Sequence, residues 1–197
     1  MTLNECVEVG PASSVTTPNG NQITVQTGRA LAEVANNVSK PTVQNGSIQS
    51  TNTWEKIASV TDFILCPNEF IIIGDTSGKF FFDILGSTNS ISVTRPTIDL
   101  DAYAQTRPNA LPWKYGFSNL GGNADKGVVY GTDLPNDPNM GTVLQQSNKN
   151  QLGLEFQHNG RQTKMEVSAS GFVRIMEPAA GSDDLAAFVS DELQPHW

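Results

Sequence analysis

Chemistry in a protein needs particular residue types at particular spacings, and this chain offers few. Gly74-Asp75-Thr76-Ser77-Gly78-Lys79 approaches a phosphate-binding loop. It is one residue short of the G-x-x-x-x-G-K spacing, Phe80 stands where a magnesium-binding Ser or Thr belongs, and a β-rich run follows where a helix is required. The same stretch approaches the Asp-Thr/Ser-Gly signature of an acid–base carboxylate pair. Ser77 breaks that match, and such a dyad needs a second Asp in an equivalent loop or a dimer. A plain hairpin loop is the better reading. Two histidines, His158 beside a turn and His196 near the C-terminus, leave few places for a His-based triad, and no G-x-S-x-G occurs. Even with Cys6 and Cys66 they do not readily supply a zinc site.

Oxygen-bearing groups are more numerous. Asp99 and Asp101 flank Leu100 and would share a face of an extended segment. Paired carboxylates at the right separation hydrolyse glycosides, but alternating Asp residues on a solvated strand edge are commoner. Asp133, Asn136, Asp137 and Asn139 crowd one loop with ligands of the kind calcium takes, without the EF-hand spacing or its terminal Glu. Pro135 and Pro138 make a rigid turn the simpler account. Trp113 and Tyr115, near Arg107 and Asn109, suit either a sugar-binding platform or a plug at one end of a β-sandwich. The sequence thus assigns no catalytic residue, no metal ligand and no cofactor, and the chain reads as a non-enzyme.

The composition bounds the elements that must position these residues. Charged residues are only 16% of the 197, against roughly 25% in an ordinary soluble domain. Asn, Gln, Ser, Thr and Gly replace them, which suits strands, turns and protein-covered surfaces. The net charge is −8, and residues 177–197 hold Glu177, Asp183, Asp184, Asp191 and Glu192 with no Lys or Arg. Neither end is a basic arm, so direct binding of nucleic acid through a flexible tail is disfavoured. The N-terminus lacks the basic and apolar regions of a secretory signal, and no stretch approaches a membrane span. With no sign of an oxidising compartment, Cys66 reads as a buried free thiol and a Cys6–Cys66 disulfide as the minor alternative.

Three zones follow. Residues 1–53 contain no aromatic residue and read as an extended N-terminal arm with turn signals at Asn19-Gly20 and Asn45-Gly46. A short helix is expected over about 28–38, where Leu31, Val34 and Val38 share a face. Residues 54–176 hold the strands of an all-β domain, an antiparallel β-sandwich or jelly roll. Strands are expected at 54–60, 70–73, 79–85, 91–94, 128–130, 142–144 and 172–176, with no helices between them. Residues 177–197 form an acidic tail with a short helix after Ser182, carrying Leu185, Phe188 and Val189 on one face.

The sharpest expectation is a hairpin at Asn159-Gly160, the preferred dipeptide for a two-residue type I′ turn. It sets Leu152 opposite Val167, Leu154 opposite Met165 and Phe156 opposite Thr163 on one face. On the other face Glu155 meets Lys164 and Gln157 meets Gln162. A slip of one residue would destroy both patterns.

Arm, domain and tail together lead to the expectation of a viral structural protein. It would be a capsid, coat or other virion subunit made in the host cytoplasm, self-associating or binding other virion proteins. Leu31, Val34, Phe188 and Trp197 would be inter-subunit anchors. The alternative expectation is a lectin-like carbohydrate-binding module, such as a phage tail or surface receptor-binding protein, with Trp113 and Tyr115 as the glycan contacts.

Overall fold

The computed structural model describes residues 4–74, 78, 80–87, 92–119 and 125–197. The protein is mostly β, with two antiparallel sheets and few helices. It divides into two compact units: Met1–Val15 with Ile23–Val93, and Thr16–Gln22 with Thr94–Trp197. The boundary at 53/54 drawn from aromatic content falls inside a strand, Ser47–Cys66. Among the described residues no helix is long and apolar enough to cross a membrane.

The first unit is a sheet of β1 (Glu5–Val9), β2 (Ser13–Thr16), β3 (Gln22–Gln44), β4 (Ser47–Cys66) and β5 (Phe70–Ile73), in the order β1-β3-β4-β5 with β2 also on β3. The expected helix at 28–38 is instead part of β3. Leu31, Val34 and Val38 do have helical spacing, but Leu31 pairs with Val60 while Val34 and Val38 pair with Ile57 and Thr53 on the other face. The Asn45-Gly46 turn decides the outcome. Both residues take positive φ, 51° and 75°, so β3 folds back on β4 and the ladder fixes the whole stretch as strand.

The run expected as a strand at 79–85 instead forms a helix, α1 (Phe80–Ser87). Phe81 and Leu85 lie four apart and are both buried, while Phe80 and Ile84 pack beside them against Ala30 and Phe63. The run has a helical period because its burial comes from one side only. Phe63 and Phe81 stack with ring centroids 4.6 Å apart. Gly28 makes room for that ring, since a Cβ there would lie 2.2 Å from Phe63 Cζ. Asp75, Thr76, Ser77 and Lys79 of the loop weighed as a phosphate or protease motif lie outside the described residues, as does Ile91. Ser92–Thr94, expected to continue a strand from Ile91, are irregular.

The second unit is built on β6 (Leu111–Ser118), β7 (Lys126–Tyr130), β8 (Asn148–His158), β9 (Arg161–Ser168) and β10 (Val173–Glu177), in the order β10-β9-β8-β6-β7. β8 and β9 pair in the register expected, including Leu152↔Val167, Leu154↔Met165, Phe156↔Thr163, Glu155↔Lys164 and Gln157↔Gln162. Asn159 and Gly160 have φ of 51° and 70°, as a type I′ turn requires. β10 completes the expected meander. One face of this sheet carries the fully buried Leu152, Met165 and Val167.

Helices interrupt these strands, contrary to expectation. α2 (Leu100–Gln105) brings Tyr103, wholly buried, to donate its hydroxyl hydrogen to Met165 Sδ at 3.3 Å. α3 (Met140–Gln146) replaces the strand expected at 142–144, because Asp137 Oδ1 accepts from the Asn139 and Met140 amides and caps it. α4 (Ser182–Phe188) is the expected tail helix, continued by a wider turn, Val189–Leu193, and a tight one, Gln194–His196.

Candidate functional site

Beyond the reach of β1, β2 and β5, β3 and β4 continue as a two-stranded ribbon. Among the described residues, Ser47–Thr61 of β4 pairs only with β3. The apolar side chains along this ribbon are open to solvent on both faces. Val43 is 76% exposed, Ile48 79% and Trp54 64%, with Val34, Ile57 and Val60 also exposed. Leu31 is half-buried beside Val60. The charges on the ribbon are paired across the strands: Lys40 with Glu55, and Lys56 with Glu33, which also accepts from the amide of Asn4. Its surface is therefore nearly neutral, amide- and hydroxyl-rich, and studded with large apolar groups.

The tail contributes differently than its composition implied. Phe188 is 1% exposed and Leu193 is buried with it. The acidic pair Asp191 and Glu192 is buried and partnered. Asp191 accepts from the Thr17 hydroxyl at 2.8 Å, the Asn19 amide at 2.8 Å and Asn21 Nδ2 at 3.4 Å. Glu192 pairs with Arg107 and, at 3.2 Å, with His158 Nδ1. Phe188 is thus a core residue of its own unit, whereas Trp197, 43% exposed, stays at the surface.

His158, beside the Asn159-Gly160 turn, sits edge-on to both Phe156 and Phe188. Burial, then the nearby Arg107 charge, push its imidazole below the usual value, and Asp191 opposes them. A ring so held takes up its proton at lower pH in the folded chain than in the unfolded one. Its contribution is complete above the unfolded value near 6.5 and is lost as pH falls below it. Urea midpoints of the second unit are expected to drop between about pH 7.5 and about pH 5.5, and His158→Gln to flatten that slope.

Trp113 and Tyr115 do not share a platform. A bulge at Pro112/Lys114 turns Trp113 to the face opposite Tyr115, over Gly153 and under the Lys164 ammonium at 4.9 Å, with Tyr130 stacked 6.2 Å away. Tyr115 is buried, and burial raises its pKa. On Trp113's side of the sheet, Lys114 Nζ meets Glu166 Oε1 at 3.0 Å. This ion pair borders a cavity of about 400 Å³ also lined by Asn150, Gln151, Ser168 and Phe172.

The remaining carboxylates have local duties. Asp99 caps α2 by accepting from the Asp101 and Ala102 amides, and Asp101 pairs with Lys149, so the two do not form the expected extended pair. In the 133–139 loop, Asp133 accepts from Asn136 and Asp137 caps α3. Among the described residues no three His, Cys, Asp or Glu side chains are grouped to hold a metal. Cys6 is exposed and Cys66 buried, both as free thiols, with burial pushing the Cys66 pKa up to about 11. No family model, curated protein or solved structure matches this chain.

Proposed function

We propose that this chain is a structural subunit of a viral particle, a capsid, coat or other virion protein, that assembles through its β3–β4 ribbon. The ribbon is the observation that carries the reading. A two-stranded hairpin standing alone is marginal in water, and long open edges are normally blunted or covered. This one instead exposes Val43, Ile48 and Trp54 with its charges neutralised. Such a surface gains most from burial against protein, and repeated contacts of this kind sum when copies are related by symmetry. Val34 and Leu31 keep their place as contact residues in this proposal, and Phe188 gives its place to Trp54. A sandwich or jelly-roll arrangement of the strands belongs to the same proposal and rests on their number and spacing. Light scattering after size exclusion is expected to give a mass above one chain that rises with concentration, with regular particles or tubes by electron microscopy. A strict monomer across salt and concentration would sink the reading.

The cavity beside Lys114–Glu166 favours a second reading, a carbohydrate-binding module. Amide, hydroxyl and charged groups beside the exposed Phe172 ring suit a polyhydroxylated ligand. A glycan array probed with the wild type and Phe172→Ala is expected to show binding lost in the variant. A blank array for the wild type rules this out.

A further inference from the structure

We infer that the open edge of β4 is closed by β4 of a second copy, antiparallel about a two-fold axis at Trp54. The inference rests on the ribbon being an assembly surface and adds which edge, which register and which residues meet.

The phase of the backbone comes first. With Asn45 and Gly46 as a two-residue loop, Gln44 and Ser47 are the first hydrogen-bonded pair. Odd-numbered residues of β4 then bond inward to β3, and even-numbered ones point both backbone groups outward. The Asp62 carbonyl, in the same phase, faces that outer edge and accepts from the Gly74 amide at 2.9 Å. The ribbon's two edges differ. On β3 the outward positions are the odd ones, and Pro41 there has no N–H to give. On β4 the stretch from Ser47 to Thr61 contains no Pro and no Gly and, among the described residues, pairs only with β3, so it presents a row of donors and acceptors about 50 Å long.

The register follows from length and charge. A two-fold pairing that uses all of Ser47–Thr61 must be centred on its midpoint, Trp54. That register puts Trp54 opposite its own copy and Val60 opposite Ile48 of the other chain. It also sets Lys56 opposite Asn52 and Glu55 opposite Thr53, so no like charges meet. Moving the axis to Glu55 or Lys56 opposes identical charges, which destabilises a strand pair. Moving it back to Thr53 shortens the ladder and separates Val60 from Ile48. The three most apolar side chains of the outward row are thus satisfied by one arrangement, and an isologous contact of this kind closes on itself.

The test uses engineered cysteines in the full chain with Cys6→Ser, which removes the exposed native thiol. Directly opposite Cα atoms of a hydrogen-bonded antiparallel pair lie about 5.5 Å apart, within disulfide range. Under mild oxidation Trp54→Cys is expected to give disulfide-linked dimers in most of the protein. Asn52→Cys and Lys56→Cys, which both keep Trp54, are expected to cross-link when mixed and not when oxidised separately. Asn52→Pro removes one outward N–H, and the dimer should be lost while circular dichroism still reports the native sheet content. Assembly by light scattering with no cross-link at either site overturns the β4 pairing and leaves the ribbon as an assembly surface by another edge. A monomer by light scattering overturns both.

Discussion

Replacing Arg107 with methionine is expected to cost the second unit about 3 kcal/mol, at the lower end of the range for breaking a buried ion pair. The guanidinium lies 5.8 Å over the Tyr103 ring and 5.5 Å over Phe156, and it pairs with Glu192, whose side chain is only 10% exposed. Methionine keeps much of the apolar contact with those rings. The loss therefore isolates the carboxylate, which is left in a poorly hydrated site with His158 as its remaining neighbour. Arg107 itself is 25% exposed, so water reaches one side of the pair and moderates the penalty. Adding Glu192→Gln to Arg107→Met should recover a third or more of the lost stability, because a neutral amide is cheaper to desolvate than a carboxylate. Urea unfolding, with amide exchange read in β8 and β9, measures both variants. A double variant no more stable than the single one would mean that the cost came from packing.

The parts of this fold that were legible in the sequence are those specified locally. Asn159-Gly160 demands positive φ at two successive residues, and the alternating apolar and polar positions on either side admit one register. Asn45-Gly46 carries the same turn signal, but its flanks lack aromatic residues and bury little. Their strand character comes from pairing along the whole of β3 and β4, so the stretch reads as an arm. Phe80–Leu85 is apolar but for Asp83, and so short a run fits a strand as well as a helix when read alone. The choice is made by Ala30 and Phe63 on one side of it. The misreading of the tail has another cause. Five carboxylates without a cation look solvated. Yet the partners of Asp191 and Glu192 are Thr17, Asn19, Asn21, Arg107 and His158, all remote in sequence. The candidate ribbon was half legible: Leu31 and Val34 were singled out as contact residues, while Trp54 was placed in the first strand of the β-domain and is 64% exposed.

Phe188→Ala separates a core role from an interface role for the tail, and its expected cost is about 3–5 kcal/mol in the second unit. Phe188 is almost wholly buried beside His158, with Ala186, Val189 and Leu193 also buried in the same segment. Truncating the ring leaves a cavity that α4, with Asp191 and Glu192 fixed just beyond it, has little freedom to collapse into. The change should also raise amide exchange in β8 and β9, and it should free His158 to titrate nearer its ordinary value as water enters. Oligomeric mass, measured where the variant remains folded, should be unchanged, because nothing of Phe188 reaches the surface. Were the tail an inter-subunit anchor, the opposite pattern would hold, with mass reduced and unfolding untouched. The same comparison made with Trp54→Ser should give that opposite pattern, since an exposed ribbon side chain adds little to the stability of a lone chain and much to a contact between two.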